Sequence, residues 1–187
     1  MKTPEQYVES LRKMNLEIYL LGERVKNPVD HPIIRPSLNS VTMTFQLAGE
    51  KEHRELMTTT SHLTGKIVNR FTAIHQSPRD LVNKVKMQRL LGQKTASCFQ
   101  RCVGMDAMNA LYSTTFETDE KFKTSYHRRF KEFLQRIQEE DLVVDGAMTD
   151  VKGDRSLRPG QQPDPDLYLR VVERRKDGVV VRRRSPR

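Results

Sequence analysis

The feature that most constrains the fold of this chain is a change of sequence pattern near Asp141. Before it, apolar residues recur every three or four positions, as on the buried face of an α-helix. After it, short runs of β-branched residues are separated by stretches rich in glycine, proline and aspartate, as between β-strands. The sequence therefore predicts a mainly α fold, with a helical domain over residues 1–141, the start of a β domain over 142–182, and a basic tail over 183–187.

Five helices are predicted in the first part, and local signals mark the beginnings of two of them. Thr3, Pro4 and Gln6 form a capping box with a proline in the first helical position, and Ser77-Pro78 opens a later helix in a similar way. The last three helices are consecutive and amphipathic, which is typical of a helical bundle. The five cover about residues 4–14, 38–48, 78–92, 96–114 and 122–137.

The strands are predicted from short β-branched runs. Leu142-Val143-Val144 reads as one short strand, and residues 167–174 and 178–182 read as a hairpin around Lys176-Asp177-Gly178. A hairpin alone is only marginally stable in water. We therefore expect the β domain over these residues to be incomplete. The proline-rich residues 22–37 are expected to be mostly loop.

Charge and hydropathy narrow the classes of function. The net charge is +9, but four arginines lie among the last six residues, and elsewhere basic and acidic residues are interspersed. This distribution argues against a nucleic-acid-binding surface. No apolar run approaches the roughly 20 residues of a membrane span, and the N-terminus lacks the apolar core of a signal peptide. A cytoplasmic protein without membrane contact is predicted.

The two cysteines, Cys98 and Cys102, are four residues apart on a predicted helix and would share one face of it. Helix geometry opposes a disulfide between them, because their β-carbons would lie too far apart. Two thiolates at this spacing suit two corners of a metal or iron–sulfur cluster. They also suit two small apolar side chains on a packed helix. Spacing alone leaves both interpretations open.

A second candidate segment is Gly146 to Ser156, which directly follows the predicted short strand. Small residues and hydroxyls there would let backbone N–H groups approach a ring or a phosphate, and Lys152 and Arg155 could neutralise phosphate charge. The alternative is a surface loop capped by aspartate and serine side chains.

Longer stretches match a known family in order. They are Thr3–Tyr7, Asn27–Pro32, Lys94–Leu111, Tyr126–Phe130, Gly146–Ser156 and Asp164–Tyr168. Over about residues 3–181 the chain resembles the 4-hydroxybutyryl-CoA dehydratases, a group within the 4-hydroxyphenylacetate 3-hydroxylase family. The resemblance implies the helical N-terminal domain of an acyl-CoA dehydrogenase-like fold, followed by the first strands of its β domain.

The resemblance also implies cofactors and site residues. Cys98 and Cys102 would ligate a [4Fe-4S] cluster, with another cysteine and a histidine supplied from elsewhere, and Gln100 would face an acyl-CoA substrate. A homo-tetramer is the assembly that it implies for the full-length enzyme. FAD would contact Met148, Thr149, Asp150, Lys152, Gly153, Asp154, Arg155 and Ser156.

The activity implied is dehydration of 4-hydroxybutyryl-CoA to crotonyl-CoA and isomerisation of vinylacetyl-CoA. Two other functions stay open: a flavin-dependent aromatic hydroxylase whose cysteines are only structural, and a basic nucleic-acid-binding module. The residues from Arg183 to Arg187 depart from the family pattern. We therefore expect the chain to be a fragment or one piece of a split enzyme, inactive by itself.

Overall fold

A computed structural model describes residues 1–146 and 153–182 of the chain. These residues are mainly helical and belong to two compact units. The first unit comprises residues 1–18 and 24–146. The second comprises residues 19–23 together with the described residues that follow 152. The mainly α fold is thereby confirmed, whereas the predicted basic tail over residues 183–187 lies outside the described residues.

Six α-helices form the framework of the first unit, and two of them begin where local chemistry predicts. Thr3 and Ser77 each accept a hydrogen bond in a capping box, with Pro4 and Pro78 in the first turns of their helices. The helices are α1 (Pro4–Arg12), α2 (Arg35–Gly49), α3 (Arg54–Met57), α4 (Pro78–Thr95), α5 (Cys102–Phe122) and α6 (Tyr126–Glu139).

The turn between α5 and α6 is closed by a carboxylate. Asp119 of α5 accepts hydrogen bonds from the backbone N–H groups of Tyr126 and His127, at 2.8 and 2.9 Å. These are donors of the first turn of α6, which the helix itself cannot satisfy. The two helices consequently pack against each other along the unit. α6 begins at Tyr126, a few residues later than predicted, because Lys123 adopts a left-handed conformation that ends α5.

The described residues also contain three pairs of short strands: β1 (Ile18–Leu20) with β2 (Glu23–Val25), β3 (Thr58–Thr60) with β4 (Ile67–Asn69), and β5 (Arg170–Arg174) with β6 (Val179–Arg182). The third pair is the predicted hairpin, antiparallel and with an irregularity between Val171 and Glu173. The first two pairs were not predicted from the sequence.

Apolar side chains of the first unit form three clusters. The first joins α2, α3, α4 and α5. It consists of Leu47, Ala48, Met57, Phe71, Met87, Leu91, Phe99 and Met105. The second joins α5 and α6 through Ile74, Met108, Phe130, Leu134 and Ile137, and the third consists of Tyr7, Val41 and Phe45.

The short strand predicted at Leu142-Val143-Val144 is wrong. These residues have no regular secondary structure and no strand partner among the described residues. Leu142 and Val144 pack on the second apolar cluster, and Val143 packs on the third. The continuous apolar run that suggested a strand thus reflects burial on two sides. In addition, the Val144 backbone lies against Gly104, where an added β-carbon would overlap the Val144 carbonyl oxygen.

Across residues 1–146 and 153–182, every helix is too short or too polar to cross a bilayer.

Candidate functional site

The candidate site is the segment from Ala96 to Cys102, here called the cysteine loop, which joins α4 to α5. The predicted helix over about residues 96–114 is present as α5, but its predicted start at Ala96 is wrong, because α5 begins only at Cys102. Ala96 has a left-handed backbone, with φ of 48°, and this conformation ends α4. Cys98 therefore lies in a loop and Cys102 lies in the first turn of a helix, instead of both lying on one helix face.

Burial alternates along the cysteine loop. Phe99 and Arg101 are only 8% and 2% exposed, respectively, whereas Cys98 is exposed and Gln100 and Cys102 are half-buried. Both cysteines are free thiols. The two buried side chains anchor the loop in the core, and the residues between and beside them stay accessible. The structure thus leaves available the three side chains that the sequence predicted as cofactor or substrate contacts.

Gln100 lies at the tightest point of the loop. The Arg101 N–H donates a 2.8 Å hydrogen bond to the Phe99 carbonyl, and Gln100 between them has φ of +63°. This is a γ-turn of the rare form, which is strained for a residue with a side chain. Because both neighbours of Gln100 are held in the core, the turn projects Gln100 from between two anchors.

The Arg101 side chain fills a polar niche within the core. Its guanidinium stacks between the rings of Phe45 and Phe71, with its central carbon 4.7 and 5.1 Å from the two ring centroids. Nη1 donates to the Thr44 hydroxyl at 2.9 Å, and Nη2 donates to the Leu142 carbonyl at 3.4 Å. Contacts of this kind, stacking combined with directed donors, are the ones that a guanidinium makes well.

Asp141 is the ionic partner of Arg101. The Arg101 Nη2 and Asp141 Oδ1 atoms are 3.5 Å apart, and both side chains are almost fully buried. Burial lowers the pKa of Arg101, and the Asp141 charge opposes that shift. The other carboxylate oxygen of Asp141 accepts a 3.0 Å hydrogen bond from the Lys2 backbone N–H. The pair therefore connects the cysteine loop with the segment that leaves α6.

The Arg101 guanidinium also belongs to a longer stack of rings. Tyr7 stacks on Phe45 at 4.6 Å between centroids, and Phe71 meets Phe99 at 5.6 Å. In order, the stack runs Tyr7, Phe45, Arg101, Phe71, Phe99. Burial raises the pKa of the Tyr7 hydroxyl, and the Arg101 charge opposes that rise. The cysteine loop thus contributes two members to this stack, Phe99 and Arg101, which lie on either side of Gln100.

The two thiols occupy different backbone positions, Cys98 in the loop and Cys102 at the start of a helix. Cys102 is the first residue of α5, where the backbone N–H groups and the helix dipole stabilise anions. Over the described residues, His, Cys, Asp and Glu side chains form no group of three or more able to hold a metal. Free thiols are the donor type that a thiolate-ligated cluster takes, and two of them would fill half of its protein ligand positions.

The predicted flavin segment is only partly described. Met148, Thr149, Asp150 and Lys152 lie outside the described residues, while Gly153 to Ser156 lie in the second unit. Asp154 accepts hydrogen bonds from the N–H and hydroxyl of Ser156 at 2.9 and 2.6 Å, which lowers the Asp154 pKa.

Gln162 closes the same loop of the second unit. It accepts a hydrogen bond from the Asp154 N–H at 3.0 Å and donates one to the Asp154 carbonyl at 2.6 Å. Arg155 is exposed between these tethered residues. The Arg155 side chain is therefore exposed, on a loop whose backbone is held by the hydrogen bonds between Asp154 and Gln162.

Sequence reasoning missed two residues of the site, Arg101 and Asp141. The available signal was an arginine directly followed by Cys102 and Val103 and close to Phe99, since a charge that such neighbours bury requires a partner. Nothing in the sequence links that arginine to an aspartate so distant along the chain.

Comparisons with known proteins identify relatives of both kinds that the sequence suggested. The chain is 64% identical over 180 residues to the 4-hydroxybutyryl-CoA dehydratase/vinylacetyl-CoA Δ-isomerase of Clostridium aminobutyricum, covering 96% of this chain and 37% of that protein. Its identity to the oxygenase component of the Thermus thermophilus 4-hydroxyphenylacetate 3-monooxygenase is 23% over 181 residues, covering 97% of this chain and 37% of that protein. The chain thus spans little more than a third of each relative's length.

Solved structures agree with the fold. An oxygen-tolerant archaeal 4-hydroxybutyryl-CoA dehydratase from N. maritimus superposes with a TM-score of 0.87 at 56% identity, covering 96% of this chain and 36% of that one. The oxygenase component of 4-hydroxyphenylacetate 3-monooxygenase, complexed with FAD and 4-hydroxyphenylacetate, superposes with a TM-score of 0.73 at 23% identity, over 98% of this chain and 37% of that one. The family model described as 4-hydroxyphenylacetate 3-hydroxylase N terminal matches residues 3–182. The chain therefore belongs to the 4-hydroxyphenylacetate 3-hydroxylase N-terminal family.

Proposed function

We propose that this chain forms the N-terminal part of a flavin- and [4Fe-4S]-dependent enzyme. The enzyme dehydrates 4-hydroxybutyryl-CoA to crotonyl-CoA and isomerises vinylacetyl-CoA, on an acyl-CoA dehydrogenase-like fold. One observation carries the proposal: 64% identity to a dehydratase of this activity across 96% of the chain. The 4-hydroxyphenylacetate monooxygenase oxygenases match at only 23–27%.

The proposed iron ligands from this chain are Cys98 and Cys102. Both are free thiols, at least partly accessible, and separated by three residues, of which Phe99 and Arg101 are anchored in the core. A four-iron cluster takes four protein ligands, so the remainder of the enzyme would supply the other two. Gln100, projected by its γ-turn from between the thiols, is the proposed substrate contact from this chain.

The proposed flavin contacts lie in residues 148–156. Arg155 would meet a phosphate of FAD by a charge-assisted hydrogen bond. Support comes from its exposure and from the two neighbouring side chains, Asp154 and Gln162, that tether its loop.

The cofactors supply an electron-accepting ring and a Lewis-acidic iron when bound, which suit removal of an unactivated proton and departure of a hydroxyl. The part of this chain is to orient them. The buried side chains of Phe99 and Arg101 anchor the loop that carries the thiols and the Gln100 amide, and that amide would hydrogen-bond the substrate. A homo-tetrameric enzyme acting on acyl-CoA in the cytoplasm, independent of nucleic acid, completes the proposal.

The test uses a chimera in which residues 1–182 replace the matching part of the Clostridium aminobutyricum dehydratase. After anaerobic reconstitution, iron, sulfide, flavin and crotonyl-CoA formation are measured. We expect Cys98→Ser and Cys102→Ser to lose most of the iron and all of the dehydration. Ser97→Ala, an adjacent exposed change in the same loop, should leave both intact. Full iron content and activity in either cysteine variant would refute the proposal and favour a hydroxylase-like enzyme with structural cysteines.

A further inference from the structure

We propose that Arg101 is a positioning residue, whose buried guanidinium fixes the conformation of the cysteine loop. This inference rests on the proposed function only in that the loop carries the proposed iron ligands. It adds a role for a residue that binds neither cofactor nor substrate.

The Arg101 guanidinium is held from several directions. Two phenyl rings bound the faces of the guanidinium, and its edges reach the Thr44 hydroxyl, the Leu142 carbonyl and the Asp141 carboxylate. These partners come from α2, from the turn at Phe71 and from the segment after α6. A planar group restrained on its faces and along its edges cannot rotate or slide without breaking a contact. Its backbone is therefore fixed as well.

The buried pair of Arg101 and Asp141 carries an electrostatic cost. Removing a guanidinium and a carboxylate from water is unfavourable, and a well-packed apolar pair would fill the same space without that cost. An apolar side chain, however, lacks directed donors and would leave the loop free to shift along the rings. What the charged pair contributes is a defined geometry.

Phe99 and Arg101 flank Gln100, and both contact the Phe71 ring. The strained γ-turn between them persists only while both anchors hold, because a free loop would relax to a more favourable backbone conformation. Loosening Arg101 should therefore release Gln100 and the start of α5, where Cys102 lies.

The experiment measures the mobility of the loop in the 187-residue chain, without any cofactor. Hydrogen exchange of the amides of residues 98–105 is followed by mass spectrometry, together with the alkylation rate of the half-buried Cys102 by iodoacetamide. The variants are Arg101→Lys, which keeps the charge but loses the planar fork, and Arg101→Met combined with Asp141→Asn, which removes both charges. We expect both rates to rise at least tenfold in each variant, with the amides of α6 unchanged.

Arg70→Lys is the matched control. Arg70 is also buried, at 4% exposure, but it donates to the carbonyls of Glu55, Leu56 and Thr58 and pairs with Asp80. Its loss should destabilise the unit without selective loosening of the cysteine loop.

Each outcome decides the inference. Unchanged exchange and alkylation in either folded Arg101 variant would overturn it, as would equal loosening in the Arg70→Lys control. Global loss of helical circular dichroism in both Arg101 variants would also overturn it, by assigning Arg101 to the fold as a whole. A loosened loop in a chain whose chimera binds no iron would contradict the proposed function and leave the positioning role standing.

Discussion

Gly104, in the first turn of α5, lies directly against the backbone carbonyl of Val144, with no room for a β-carbon between them. This contact brings the segment after α6 beneath the helix that starts at Cys102. It depends on the absence of a side chain rather than on the backbone freedom of glycine, since Gly104 is helical.

Gly104→Ala should lower the free energy of unfolding. Overpacking costs about 1–3 kcal/mol, whereas alanine gains about 1 kcal/mol over glycine in a helix, and here the obstructing atoms include backbone. Gly92→Ala on α4 is the control, because nothing lies within 4 Å of its would-be β-carbon. Urea denaturation should show opposite signs for the two variants. If both substitutions were stabilising, the Val144 backbone would have moved away from residue 104 at little energetic cost.

Gln138→Leu should destabilise the first unit through unmet hydrogen bonds. The buried Gln138 amide accepts from the Ser61 hydroxyl at 2.7 Å and donates to the Thr72 carbonyl at 2.8 Å. Each group left without a partner costs about 1–3 kcal/mol. Gln135→Leu, on the exposed side of the same helix, should change stability by no more than about 0.5 kcal/mol. Thermal unfolding compares the two, and an equal effect would contradict the role of the Gln138 network.

The stability of the fold should depend on pH through the ion cluster around Asp30. Hydrogen bonds from Arg12, at 2.6 and 2.8 Å, and from Asn27 lower the Asp30 pKa from 3.8 to about 2. A carboxyl group with a depressed pKa stabilises the folded state above its unfolded pKa, and loses that effect as the pH falls through its folded pKa. The stabilisation should therefore be complete above pH 3.8 and fade towards pH 2.

Melting temperatures of the parent and of Asp30→Asn, measured from pH 7 down to pH 2, check this dependence. The gap between them should be largest near neutral pH and should close as the pH falls. Asp177→Asn, an identical charge change in the exposed turn between β5 and β6, should show no such gap. A constant offset between the parent and Asp30→Asn at every pH would show that the cluster acts by packing alone.

Elements with local signals were predictable from the sequence. The starts of α1 and α4 follow from Thr3-Pro4 and Ser77-Pro78, whose side chains act within a few residues, and the hairpin of β5 and β6 follows from its turn. The thiols and Gln100 were predicted as candidates because their residue types carry the chemistry.

The errors arose where distant residues decide the local conformation. The helix predicted through Cys98 fails because Phe99 and Arg101 are drawn into a core built by other helices. The strand predicted at Leu142-Val143-Val144 fails because those side chains pack on two clusters, instead of facing a paired strand. A continuous apolar run indicates burial on two sides, and tertiary contacts determine whether a strand results.

Gln100→Gly should be more stable than Gln100→Ala. Alanine keeps the unfavourable positive φ of the γ-turn, which costs about 1–2 kcal/mol for a residue with a side chain, whereas glycine removes that strain but gains unfolded-state entropy of about 0.4–1 kcal/mol. We expect a net difference of up to about 1.6 kcal/mol by urea denaturation. In the chimera, both variants should lose dehydration alike, because both lack the amide. Equal stability of the two would show that the turn relaxes without cost.

Arg155→Ala should weaken flavin binding in the chimera while leaving the fold intact. The exposed Arg155 side chain has a backbone held by Asp154 and Gln162, so its removal deletes a cation and disturbs no core contact. A lost charge-assisted hydrogen bond costs about 1.5–3 kcal/mol, which corresponds to roughly ten- to hundredfold weaker FAD affinity. Arg175→Ala, an exposed arginine paired with Glu173 at the hairpin turn, removes the same charge elsewhere in the second unit and should leave FAD affinity unchanged. If Arg155 instead only stabilises its own loop, Arg155→Ala will lower the melting temperature without accelerating flavin release. Titration of the apo-chimera with FAD, read beside thermal unfolding of both variants, separates a flavin contact from a loop residue.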